Sequence, residues 1–272
     1  MNLQSFFWEG AMNRLLILGI AVAMLSPHTL WARQAKKEWK TLLDKRTFTG
    51  AKGGKLPYRV LKPDDYDAKK SYPLVVFLHG AGERGSDNEK QLIHGVAEFA
   101  KDENRKKYPC FLIAPQCPEG KKWVEVDWGA ASHHMPAEPS PSEALVLELV
   151  TELQKEYSID AKRLYITGLS MGGFGTWDLI QRKPDLFAAA VPICGGGDET
   201  QAAKIARTPI WAFHGAKDGA VKVSRSRNMI AAIEKAGGHP KYTEYPEEGH
   251  ASWVPAYKDA EMMKWLFEQK WK

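Results

Sequence analysis

The chain has 272 residues and a formal charge of +5, with Lys and Arg interleaved among Asp and Glu. That length supports one sizeable core, and 44% apolar with 26% charged residues is ordinary globular composition. The charge forms no basic stripe and no nucleic-acid motif accompanies it, so nucleic acid is not an expected partner.

The first element in chain order is a leader. Leu15–Leu25 is an uncharged run of 11 residues, preceded by Arg14 and followed by Ser26-Pro27 and Leu30-Trp31-Ala32. A basic start, a short apolar core and a small residue at the cut describe a signal peptide over residues 1–32, starting at Met1 or Met12. A buried N-terminal helix is the competing reading. The run is too short to span a bilayer, and no cysteine at the cut offers a lipid anchor. The mature chain is therefore expected to be secreted or periplasmic, without stable membrane insertion. Cleavage removes Glu9 and Arg14 and leaves the charge at +5.

Residues 33–45 read as a polar, helix-prone lead-in, and 46–272 as a single catalytic domain. Arg46–Ala51 and Leu56–Leu61 flank Lys52-Gly53-Gly54, a hairpin signal. The apolar run from Tyr72 to His79 predicts a strand buried on both faces. A glycine-rich loop over 80–88 follows, then a helix over Glu89–Ala100 and a buried strand over Cys110–Pro115. Residues 116–141 form a long irregular stretch, and structureless loops of that length are commonly functional. Ser142–Tyr157 predicts an amphipathic helix with Leu145, Leu149 and Leu153 in register. The remaining order is a strand over Arg163–Thr167, a helix over Gly173–Arg182, strands over Phe187–Cys194 and Pro209–His214, a helix over Val223–Ala236, a strand over Tyr242–Tyr245 and a helix over Pro255–Lys270. This alternation predicts an α/β fold: a mostly parallel central sheet with helices on both faces and ligands at the carboxyl ends of the strands. His79, Gln116, Ser170, Asp198, Asp218 and His250 all fall at those ends.

Gly168-Leu-Ser-Met-Gly172 lies between strand and helix, the setting of a nucleophile elbow, whose tight turn strains the serine backbone and exposes its Oγ. A Cβ at Gly168 or Gly172 would collide across that turn. A serine hydroxyl becomes a nucleophile when a histidine takes its proton and a carboxylate orients that histidine. Elbow proteins order these groups as serine, acid, histidine, and Ser170, Asp218 and His250 follow that order, each just after a predicted strand. Asp198, one strand earlier, is the rival acid, with a turn or helix-cap role favoured for it. The backbone N–H of Met171 is the first expected oxyanion donor, and that of Gly80 or Ala81 the second. His79 is expected to brace this loop, with Glu83 and Arg84 forming an ion pair beneath it.

His79-Gly-Ala-Gly-Glu-Arg-Gly85, Ala114-Pro-Gln-Cys-Pro118, the elbow through Trp177, Val191-Pro-Ile-Cys-Gly-Gly-Gly-Asp198 and Gly249-His250 together resemble the secreted serine esterases of the α/β-hydrolase superfamily. Within it the similarity is to the predicted-peptidase, carboxylesterase/phospholipase and dienelactone-hydrolase-related group, near feruloyl esterases and polyhydroxybutyrate depolymerases. The resemblance covers about residues 45–270. It implies the α/β-hydrolase fold and hydrolysis of short-chain, feruloyl or acetyl esters, free or linked to polysaccharide, through an acyl-enzyme. Dienelactone hydrolases use a cysteine nucleophile, and this elbow carries Ser170 instead. The strand order that the resemblance implies puts Cys117 and Cys194 three strand steps apart, roughly 14 Å, beyond disulfide reach.

Among the ten tryptophans, Trp123, Trp128, Trp177 and Trp253 fall near the predicted site loops. Trp177, on a helix, reads as core, while Trp123 and Trp253, with Gln116, are the candidate substrate contacts. His133-His134 lacks a third ligand at metal spacing and reads as solvated loop. The chemistry calls for no metal and no cofactor. A serine peptidase of prolyl-oligopeptidase type and an inactive binding module on the same fold are the alternative readings.

Overall fold

The computed structural model describes residues 39–271, so the expected leader over 1–32 lies outside the described residues. Eight strands form one sheet: β1 (Leu43–Thr49), β2 (Lys55–Leu61), β3 (Tyr72–Leu78), β4 (Phe111–Pro115), β5 (Ile159–Leu169), β6 (Ala189–Ile193), β7 (Trp211–Gly215) and β8 (Lys241–Tyr245). Their spatial order is β1-β2-β4-β3-β5-β6-β7-β8. The β1–β2 and β2–β4 pairs are antiparallel, and every later pair is parallel. The helices are α1 (Val96–Phe99), α2 (Asp102–Lys107), α3 (Pro141–Glu156), α4 (Met171–Arg182), α5 (Ser224–Lys235), α6 (Trp253–Lys258) and α7 (Ala260–Glu268).

Both faces of the sheet are covered, as the unbroken apolar run of β3 requires. Leu74, Val76 and Leu78 join Val146 and Leu149 of α3, Phe174 and Trp177 of α4 and Met229 of α5 in one core. Val75 and Phe77, pointing the other way, join Val96 of α1, Tyr257 of α6 and Leu266 of α7 in a second. The period-2 alternation of a strand sends successive side chains into opposite cores. Full burial of each such side chain contributes about 1.5–3 kcal/mol, which leaves no position in β3 for a polar residue. The chain is thus α/β with a mostly parallel sheet and helices on both faces.

Several expected boundaries shift. β1 begins at Leu43, preceded by a 3-10 turn over Trp39–Leu42, so the strand starts inside the expected lead-in. The single helix expected over Glu89–Ala100 is a 3-10 turn, Lys90–Leu92, then α1. Gly95 divides them with φ +75°, and a Cβ there would meet the rings of Tyr257 and Phe77 at 2.7 and 2.8 Å. The helix expected over Pro255–Lys270 breaks at Asp259, which is extended at φ −72°, ψ 109°. Its carboxylate accepts from the N–H groups of Glu261 and Met262 at 2.8 and 3.4 Å, starting a new helix. The α3 start follows familiar rules: Ser140 Oγ accepts from Glu143 N at 3.1 Å, and Pro141 occupies the first helical position.

Cys110, Cys117 and Cys194 are buried free thiols. β3 and β5 lie between the strands that precede Cys117 and Cys194. Among the described residues no helix is long and apolar enough to cross a membrane.

Candidate active site

Ser170 joins β5 to α4 with φ +53°, ψ −119°, a backbone state costing about 1–3 kcal/mol outside glycine. Its N–H donates to Ile193 O at 2.9 Å, and its carbonyl accepts from Phe174 N at 3.0 Å, so neighbouring elements hold the strained turn in place. The turn closes so tightly that a Cβ on Gly172 would lie 2.0 Å from Leu78 O, and one on Gly168 2.3 Å from Gly172 O. β3, β5 and α4 therefore meet backbone to backbone at this point.

Three chain-distant side chains converge here. Ser170 Oγ lies 2.9 Å from His250 Nε2, and His250 Nδ1 lies 2.8 Å from Asp218 Oδ2. An ionised carboxylate only accepts, so His250 donates from Nδ1 and its Nε2 is left to accept the serine proton. Asp218 Oδ1 accepts from the N–H groups of Ala220 and Val221 at 2.8 and 2.9 Å. Burial alone would raise the Asp218 pKa. The hydrogen bonds from His214, His250, Val221 and Ala220 outweigh it and hold the group well below the usual carboxylate range. The histidine is 28% exposed while the aspartate side chain is inaccessible, so the open end of the relay is the serine end.

Sequence reasoning passed over His214, which is fully buried. Its Nε2 lies 3.2 Å from Asp218 Oδ2 and 3.1 Å from Val221 O, and its Nδ1 2.7 Å from Ser226 Oγ. The signal was present as a histidine four residues before the acid, at the end of β7. Cys194 Sγ, an Asp218 oxygen and a His250 nitrogen also lie within 4.8 Å of one another. Burial pushes that thiol far up, and both other groups are committed to hydrogen bonds, so the donor set does not suit a metal.

Met171 opens α4 directly after the serine. Gly80 and Ala81 begin a 3-10 turn at the end of β3. Gly80 packs against Leu169, where a Cβ would meet Leu169 Cδ1 at 2.8 Å. His79 underpins this loop. Its Nδ1 donates to Gly80 O at 2.6 Å, its Nε2 accepts from Cys117 N at 2.9 Å, and its own carbonyl accepts from Trp123 Nε1 at 3.0 Å. Burial lowers the His79 pKa to about 4, keeping the ring neutral in this role.

Two candidate substrate contacts are corrected by burial. Trp123 is fully enclosed, its indole edge-on to His79 at 5.2 Å, and it presents no free face. Gln116 is also fully enclosed; its Oε1 accepts from Asn88 N at 2.6 Å, and its Nε2 donates to Glu83 O and Asp87 Oδ1. Both tie the 80–88 loop to the sheet. Trp253 differs: it is part exposed, and its ring lies 5.3 Å from the His250 ring and 5.4 Å from His94. Ile93 and Val254, next to His94 and Trp253 in the chain, are exposed large apolar residues.

The expected Glu83–Arg84 pair does not form. Arg84 donates to Ala81 O at 2.8 Å, and the Glu83 carboxylate lies 3.6 Å from His94 Nε2. Asp198 caps the 3-10 turn Glu199–Ile205 by accepting from Thr200 N at 2.9 Å. It also accepts from Met135 N at 2.8 Å, so it is a buried cap. Trp177 is core, fully enclosed. His133 is not solvated loop: its Nδ1 accepts from the buried Arg225, which also donates to Gly197 O at 3.0 Å and Ala130 O at 3.2 Å. Arg225 thereby straps the 116–141 stretch to the carboxyl end of β6.

Residues 135–265 match a family model described as the Dienelactone hydrolase family. Over 86 residues the chain is 38% identical to a bifunctional acetylxylan esterase/xylanase of Neocallimastix patriciarum, covering 31% of this chain and 13% of that protein. Over 131 residues it is 31% identical to a poly(3-hydroxyalkanoate) depolymerase C of Paucimonas lemoignei, covering 46% and 28% of the two chains. A crystal structure of a thermostable esterase superposes with a TM-score of 0.80 at 41% identity, covering 85% of this chain and 64% of that one. The chain thus spans less than two thirds of the length of each of these relatives.

Proposed function

We propose that this chain, a member of the α/β-hydrolase superfamily, is an exported serine carboxylesterase acting on short-chain, feruloyl or acetyl esters, free or linked to polysaccharide. The observation that carries this reading is the relay from Ser170 through His250 to Asp218, at 2.9 and 2.8 Å, on a strained elbow. Structural packing requires neither that backbone strain nor that chain of three groups.

In the proposed reaction Ser170 Oγ attacks the ester carbonyl as His250 Nε2 takes its proton. Asp218 keeps Nδ1 as the donor and stabilises the imidazolium. The N–H of Met171, with that of Gly80 or Ala81, receives the oxyanion; one such donor is typically worth about 10²–10³ in rate. His250 returns the proton to the leaving alcohol, then draws one from the water that attacks the acyl-enzyme and hands it to Ser170 Oγ as the acid leaves. The part-exposed Trp253 ring beside His250 suits a flat or short apolar group on the substrate. Export is read from the leader over residues 1–32. The similarity to an acetylxylan esterase/xylanase and to a polyester depolymerase supports an ester borne on a polymer.

The test uses p-nitrophenyl acetate, methyl ferulate and a proline-containing peptide anilide with wild type and Ser170→Ala. Both esters should turn over with wild type and not with the variant. Absence of ester turnover, or turnover surviving Ser170→Ala, overturns the reading. Cleavage of the anilide in preference to both esters transfers it to the peptidase class.

A further inference from the structure

We propose that a second ligand site, remote from Ser170, takes an acidic oligosaccharide whose sugar units carry uronate carboxylates. A cavity of about 650 Å³ opens where β6, β7 and β8 begin, beside the C-terminal tail. That volume falls within the usual range of ligand pockets, about 300–1,000 Å³. The three strands are parallel and five residues long. The other ends of β7 and β8 lead to the loops that hold Asp218 and His250, and Ser170 follows the same end of β5, the neighbour of β6, so the two sites lie roughly 17 Å or more apart along the sheet.

The cavity is cationic on its rim. Arg207, His239, Lys241 and Lys270 line it, and no Asp or Glu does so among the described residues. Arg207 and Lys241 are exposed, and neither has a carboxylate partner among those residues. Lys241 lies over the Trp211 ring, 3.5 Å from its centroid, which fixes the ammonium beside the opening. Lys270 has Asp160 at 3.6 Å, an acid already engaged by Arg163 at 2.8 Å.

The walls are aromatic. Trp265 is part buried and stands edge-on to Trp211 at 5.6 Å. Trp271 is part buried and anchored by its backbone N–H, which donates to Lys162 O at 3.0 Å. The Trp271 Nε1 is enclosed and has no acceptor among the described residues. An enclosed N–H without an acceptor is unfavourable, and a ligand oxygen would satisfy it.

These features select one chemistry between them. A pyranose ring stacks its C–H face on an indole and offers hydroxyl oxygens to the indole N–H. A uronate on each unit supplies carboxylates for the arginine and the lysines. A neutral glycan would leave Arg207 and Lys241 unmatched, and a polyphosphate would leave both indoles unused. The proposal does not depend on the esterase reading, and a Ser170→Ala background separates the two.

The test is calorimetric titration of Ser170→Ala protein with galacturonate oligomers and with neutral xylose oligomers of equal length. Galacturonate should bind, and binding should weaken with added salt because the rim charges are exposed. The double variant Arg207→Gln/Lys241→Gln should lose about tenfold in affinity or more. Trp271→Ala should do the same, and Trp271→Phe, which keeps the stacking face but lacks the N–H, should fall between. In a Ser170 background these variants should turn over p-nitrophenyl acetate within about twofold of wild type, reporting an intact fold and a remote site. Equal binding of the neutral oligomers, unchanged binding by the variants, or no binding at all overturns the proposal. So does a dimer in sedimentation that Trp271→Ala abolishes, which would make the occupant a second copy of the chain.

Discussion

One oxygen of Asp218 serves two imidazoles: Oδ2 lies 2.8 Å from His250 Nδ1 and 3.2 Å from His214 Nε2. The second histidine is fully buried and tied to Ser226 and Val221, so it holds the carboxylate from behind while His250 meets it from the solvent side. His214→Phe, which removes the N–H that faces Asp218, should lower kcat about tenfold, a loss typical of one supporting hydrogen bond. Steady-state kinetics checks this; an unchanged kcat would leave His214 a packing residue.

The two candidate acids separate cleanly. Asp218→Asn should cost about 10⁴ in kcat, since an amide no longer selects the histidine tautomer. Asp198→Asn should leave kcat within about threefold. Its partners are Thr200 and Met135, so its loss should instead lower stability by about 1 kcal/mol, the usual worth of a helix cap. Paired kinetic and thermal-melt measurements decide this, and the opposite ranking would move the acid to Asp198.

Backbone strain at the elbow gives a stability prediction independent of activity. With φ at +53°, any residue with a Cβ stores about 1–3 kcal/mol there, while glycine forfeits about 0.5–1 kcal/mol of chain entropy. Ser170→Gly should therefore be inactive yet about 1 kcal/mol more stable than Ser170→Ala in urea denaturation.

Gly172 tolerates no such change. A Cβ 2.0 Å from Leu78 O has only backbone to displace. Gly172→Ala should destabilise by about 3 kcal/mol or more, the upper range of overpacking, and expression yield and melting temperature report it.

His79 sets part of the acid stability. Its ordinary pKa of 6.5 falls to about 4 in the folded chain, chiefly through burial. The unfolded chain then binds the proton first as pH falls. Stability is present in full above pH 6.5 and declines toward pH 4 by about 3 kcal/mol from this group. His79→Asn should flatten that decline in denaturant titrations between pH 7 and pH 4.5, whatever its stability at neutral pH.

Composition and spacing alone carried much of this protein. The continuous apolar runs over Tyr72–His79 and Cys110–Pro115 could be satisfied only by strands covered on both faces. The order Ser170, Asp218, His250 was legible because each falls where a strand must end. Helix breaks were not legible: Gly95 and Asp259 interrupt patterns that stay periodic through them, for reasons of ring clash and capping that involve distant or local backbone geometry. Burial of polar and aromatic loop residues was hidden too. Gln116 and Trp123 look like site residues in a glycine- and proline-rich loop, yet the fold encloses both and spends their hydrogen bonds on His79, Glu83 and Asn88. His214 and Arg225 acquire their roles only when β7 and α5 bring them against Asp218 and the 116–141 stretch. Sequence by itself determined which three residues, in which order, the fold brings into one hydrogen-bonded chain, because motif spacing is local. Which polar side chains face substrate and which brace the scaffold was decided by tertiary structure, since burial and hydrogen-bond partners depend on contacts between residues far apart in the chain.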